Sequence, residues 1–167
     1  TKRGKPGFQR DIVYNTGSHG THNLGASMSG ANEKNDFYFG LERFITDGIS
    51  AMDNNSETDG YRNNSIVANF GHKFNDKFKL ENNFRLMDAF IEYDTEADKT
   101  DPRQDDEELM QSDFSFSTAL KYNSSEKFNN SLTFSKYNVE RTANENTDAQ
   151  DDYKGSRKSL TYFGNYN

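Results

Sequence analysis

Polar and apolar residues alternate along most of this chain, and the alternation is sharpest over residues 65–93. Ile66, Ala68, Phe70 and Phe74 share one parity, with Ser65, Asn69, Gly71 and Lys73 on the other. A period of two marks a strand with unlike faces and does not fit a helix. Beyond Asn75, Asp76 and Lys77, the same alternation sets Phe78, Leu80, Phe84, Leu86 and Phe90 against Lys79, Glu81, Asn83 and Arg85. The stretch predicts a hairpin with one apolar and one polar face, closed by a very short turn. At about 3.3 Å per residue, a strand over 78–93 runs roughly 50 Å, well past the usual five or six residues. Such reach suits a wall that crosses a membrane and continues beyond it.

The rest of the chain repeats the pattern. Residues 8–14 predict a first strand, with Phe8, Arg10, Ile12 and Tyr14 on one side, and residues 15–20 turn the chain. Over 21–30, Leu24, Ala26 and Met28 oppose Asn23, Gly25, Ser27 and Ser29. Over 36–46, Phe37, Phe39 and Leu41 oppose Tyr38, Gly40 and Glu42, and Arg43 falls on the apolar side, where a bulge or the edge of a membrane is expected. Further strands are predicted over 109–122, from residue 128 through Leu132 and Phe134, and over 156–167. Short turns at Asn32, Asn75 and Ser124 alternate with long loops over 47–60, 94–108 and 138–154, rich in Asp and Asn. Phe74, Phe78, Tyr122 and Phe128 flank the short turns, where an interfacial aromatic girdle is needed. The expected fold is all-β: an antiparallel transmembrane β-barrel segment of about eight long strands, with short periplasmic turns and long extracellular loops.

Composition sharpens this. Only 31% of residues are hydrophobic, which leaves little for a two-layer core, yet 14% are aromatic and placed at alternating positions, unlike a disordered chain. No apolar run approaches the roughly 18 residues of a membrane helix. The net charge of -7 disfavours binding a nucleic-acid backbone, so no nucleic-acid partner is expected. Cysteine is absent, which removes disulfides, thiolate metal sites and cysteine catalysis.

The opening Thr1-Lys2-Arg3-Gly4 with Pro6-Gly7, the turn Gly17-Ser18-His19-Gly20-Thr21 and the stretch Asp59-Gly60-Tyr61-Arg62-Asn63 together resemble the TonB-dependent outer-membrane receptors of the vitamin B12 and siderophore type. The resemblance implies a fragment in which residues 1–7 are the end of the plug domain and a linker and residues 8–167 a partial barrel, cut from a plugged wall of roughly 22 strands. It implies location in a bacterial outer membrane and uptake of a metal chelate or cofactor: a siderophore, haem or cobalamin. The implied partners are outer-membrane lipid and lipopolysaccharide, that small-molecule chelate, and an energy-coupling inner-membrane complex acting through the missing plug.

Candidate sites lie toward the long loops. Tyr61, Tyr93, Tyr137 and Arg62 are placed to stack on a flat ligand, and tyrosines at that height also serve an aromatic belt. Asp47, Asp53, Glu57 and Asp59 supply hard oxygen ligands for calcium (Ca2+), although Asp/Asn-rich loops are commonly solvated turns and the spacing is not that of an EF-hand. His19, His22 and His72 lack a carboxylate partner at defined spacing and read as turn or interfacial residues. No catalytic motif is present, so an enzyme is not expected. Two other architectures compete: a small complete outer-membrane barrel of structural or adhesive role, and a secreted β-sandwich binding module.

Overall fold

The computed structural model describes residues 2–49, 58–93, 107–125, 128–144 and 150–166. Eight strands follow one another: β1 (Gly7–Thr16), β2 (His22–Ala31), β3 (Asn35–Thr46), β4 (Tyr61–Lys73), β5 (Phe78–Tyr93), β6 (Glu107–Ser125), β7 (Phe128–Asn144) and β8 (Gln150–Tyr166). Each pairs antiparallel with the next, giving one sheet in the order β1 to β8 with β1 and β8 at its two edges. The described residues contain no helix.

Asparagine closes two of the short turns in the same way. Asn32 Oδ1 accepts from the backbone N–H of Lys34 (3.0 Å) and Asn35 (2.7 Å), and Asn75 Oδ1 accepts from Lys77 and Phe78 (both 2.9 Å). A short polar side chain thus supplies an acceptor for backbone donors that a tight turn leaves unmet. Neighbouring turns are tied as well, since Lys73 N–H donates to Lys34 O (2.7 Å) and Asn123 N–H to Lys77 O (2.8 Å).

The strands outrun their alternation. β4 begins at Tyr61 rather than at residue 65, and β7 and β8 stay paired out to Asn144 and Gln150. Most of the loop expected over 138–154 is therefore ladder. The face that is apolar elsewhere carries Asn138, Glu140, Thr142 and Asn144 there, and Val139 and Ala143 on the other face are interrupted by Arg141, so a period of two shows little while backbone pairing continues. A cross-strand bond supports it: Thr142 Oγ1 donates to Asp152 (2.8 Å), and with a donation from Gln150 Nε2 on the same strand (3.2 Å) it holds the Asp152 carboxyl below the ordinary range.

The sheet is inside-out relative to a soluble protein. Val139 is the one large hydrophobic side chain that is fully buried among the described residues, whereas Ile12 is 79% exposed, Leu160 70% and Tyr162 67%. On β2 the polar positions Asn23, Gly25 and Ser27 are half-buried and Leu24, Ala26 and Met28 are exposed, so the polar side is the more enclosed. In register, Leu41, Ile66, Leu86 and Phe114 form one continuous row on the apolar face. Two residues nearer the long loops, the same face turns polar along Arg43, Asn64, Asp88, Ser112, Glu140 and Lys154. Arg43 belongs to this row, and the ladders on both sides of it run without a bulge. Inside the band, Asn82 and Thr118 stand opposite one another between Phe70 and Phe134, two polar side chains on an apolar face.

Candidate functional site

The polar face carries the chemistry, and the segment ahead of β1 lies across it. Gly7, at φ +90, lets the chain bend out of β1, and residues 2–6 then pass over β2 to β5. Gly4 lies against the carbonyls of Gly30 and Phe37, so close that a Cβ has no room. Asn69 Nδ2 donates to Lys2 O (2.9 Å), and Lys2 Nζ sits 5.6 Å from the centre of the Tyr38 ring.

Five charges clamp this segment near the short turns. Arg3 reaches Asp36 and Glu81, each at 3.1 Å; Lys79 bonds the same two carboxylates at 3.3 and 3.0 Å; and Lys121 adds a 2.8 Å contact to Glu81. Asp36, Lys79, Glu81 and Lys121 meet because the register sets Lys79 opposite Lys121 and brings the start of β3 beside β4 and β5. Both carboxylate side chains are only 16% exposed, which makes this a partly dehydrated network rather than a set of surface pairs.

Nearer the long loops the polar face opens into a concavity of about 510 Å³, lined by Lys2, Tyr38, Asn83, Arg85, Ser117 and Tyr137 among others. Asn83 Nδ2 donates to Ser117 Oγ (3.1 Å), and Tyr137 Oη donates to Asp113 Oδ1 (3.1 Å), whose other oxygen accepts from Gln111 (2.9 Å). Arg85, Ser115, Tyr137 and Arg157 occupy one cross-strand row.

The residues singled out from the sequence separate. Tyr61, Tyr93 and Tyr137 share the polar face, where Tyr61 Oη accepts from Asn63 (3.0 Å), but they stand on β4, β5 and β7. Arg62 is on the opposite face, its guanidinium 5.0 Å from the Phe90 ring, because neighbours along a strand point to opposite sides. Asp53 and Glu57 lie outside the described residues. Asp47 packs its carboxylate on Gly20, and its N–H donates to His19 O (2.9 Å), which pins the first turn to the end of β3. The carbonyl of Asp59 lies against Gly48, so the two ends of that loop meet. Among the described residues no three His, Cys, Asp or Glu side chains converge closely enough for a metal ion. His22 bonds Tyr14 (2.8 Å) and His72 bonds Asn35 (2.7 Å), both across strands.

Sequence reasoning placed Lys79, Glu81, Asn83 and Arg85 on one face without assigning them a role. The signal was there in the density of charge on one parity, but Arg3 and Asp36, the partners of Glu81 and Lys79, lie far along the chain. In comparisons with known proteins, no family model and no curated protein matches the chain.

Proposed function

We propose that these strands are part of the wall of a transmembrane β-barrel in a bacterial outer membrane, and that the barrel is an importer of the TonB-dependent kind for a metal chelate or cofactor. The observation that carries this reading is the course of the apolar band. Its upper edge is Leu24 on β2, the row Leu41, Ile66, Leu86 and Phe114 across β3 to β6, and Phe134 and Leu160 on β7 and β8, where Lys154 holds the row of Leu24. From β2 to β8 the edge descends in two steps by six residues over six strand spacings, roughly 20 Å in roughly 29 Å, a mean slope of about 35°. Strands in a membrane barrel tilt by about 35–45°, and a level bilayer draws such an oblique band across their rows. On β6 the band runs from Phe114 to Tyr122, roughly 22 Å tall after tilt, near the ~25 Å of outer-membrane barrels.

The importer is favoured over a simple small barrel by two features. An eight-stranded barrel needs β1 paired with β8, and these strands lie at opposite edges. The polar face also holds a segment that is not part of the wall, clamped by ions, as the end of a plug has to be. A β-sandwich needs a second sheet facing the first, and the described strands form one.

The absence of cysteine makes a direct test simple. Single cysteines at Phe84, Leu86, Phe114 or Phe116 carry nitroxide labels in chain folded into lipid vesicles. They are expected to collide with dissolved oxygen, while labels at Arg85 and Ser115 collide with a water-soluble nickel chelate. Equal accessibility at odd and even positions removes the barrel. Transport is tested by energy-dependent uptake of labelled siderophore, haem or cobalamin in cells producing the protein, and uptake that ignores collapse of the proton gradient removes the importer.

A further inference from the structure

Two residues in the concavity are left with unmet chemistry. Arg85 forms no ion pair among the described residues, and its Nη2 has only Met87 Sδ, 4.0 Å away. Asn83 Oδ1 is buried, and no donor reaches it among the described residues. The two stand two positions apart on the same face of β5, about 7 Å between Cα atoms. Of the nearby carboxylates, Glu42 lines the same concavity and accepts from Asn23 through one oxygen (3.1 Å), and Asp113 accepts from Tyr137 and Gln111; neither pairs with Arg85. A guanidinium pairs best with a planar carboxylate, through two parallel N–H donors. A buried carbonyl oxygen without a donor costs free energy that a hydroxyl proton recovers.

We propose that this concavity is a binding station for a hydroxycarboxylate, with Arg85 holding the carboxylate and Asn83 Oδ1 accepting from the neighbouring hydroxyl. Lys2 adds a second positive charge from the segment that crosses the face, and Ser115, Ser117 and Tyr137 supply further hydroxyl partners around the rim. The inference rests on the polar face being the water-filled interior and narrows the solute class to chelates or acids that present a carboxylate beside a hydroxyl. A neutral or purely cationic solute leaves both residues unused.

Citrate and its deoxy analogue tricarballylate differ only in the hydroxyl and so separate the two roles. Calorimetric titration of the full chain folded in detergent micelles is expected to show saturable citrate binding, about tenfold tighter than tricarballylate. Arg85→Gln is expected to weaken both by about tenfold or more, and Asn83→Ala to erase the difference between them. Arg43→Gln, on the opposite face, serves as a folding and charge control and is expected to leave both unchanged. Absence of saturable binding to the wild-type chain, equal affinity for the two acids, or equal loss in the Arg43 and Arg85 variants overturns the station. Nitroxide labels that still report lipid on even positions show that the barrel reading survives that outcome.

Discussion

Replacing Glu81 by Gln tests the clamp that holds residues 2–6. Glu81 is one of two carboxylates gripping Arg3, at 3.1 Å, with less than a quarter of either side chain exposed. Removing its charge deletes that pair and leaves Lys79 and Lys121 beside Arg3 with Asp36 as the remaining counter-charge. A partly screened pair of this kind contributes about 1 kcal/mol, and the unbalanced cations add about 1 kcal/mol more, against retention of the segment. Lys121 is 42% exposed and is given no share in this sum. The total of about 2 kcal/mol corresponds to roughly thirtyfold more of the released form. Trypsin reads that population at the Arg3–Gly4 bond, because cleavage requires release and follows the open fraction when reclosing is fast. In detergent micelles, which leave both ends of the sheet open to protease, Glu81→Gln is expected to speed this cut about thirtyfold over wild type. Asp36→Asn should act in the same direction, Arg157→Gln should not, and high salt should narrow the gap. A rate within about threefold of wild type for Glu81→Gln refutes the clamp.

Gly4→Ala probes the same segment without touching charge. Its new Cβ meets the carbonyls of Gly30 and Phe37, so the tryptic cut is expected to accelerate here too, and its ratio to wild type is expected to hold at high salt because both chains keep the Arg3 ion pairs. Asn82→Leu fills the polar gap in the apolar band and is expected to stabilise the chain in vesicles by about 2 kcal/mol, read as a higher urea midpoint. No gain in vesicles places that face away from lipid.

The alternation fixed which residues share a face, because side chains on a strand have no choice but to alternate. It placed Leu86 with Phe84 and Arg85 with Asn83 before any partner was known, and the short turns at Asn32 and Asn75 were local enough to read directly. It misjudged the outer ends of β7 and β8, where the otherwise apolar face turns polar and the other face is mixed, which hides a ladder that backbone hydrogen bonds maintain. Only the register decided the rest. The oblique course of the band, the row in which Arg43 joins Asp88 and Lys154, and the meeting of Arg3 with Glu81 all depend on how strands slide against one another. That sliding is set by pairing between distant segments, so no window of sequence contains it. The split of Arg62 from Tyr61, Tyr93 and Tyr137 has the opposite origin: adjacency in a strand means opposite faces, a local rule that already separated them in the chain.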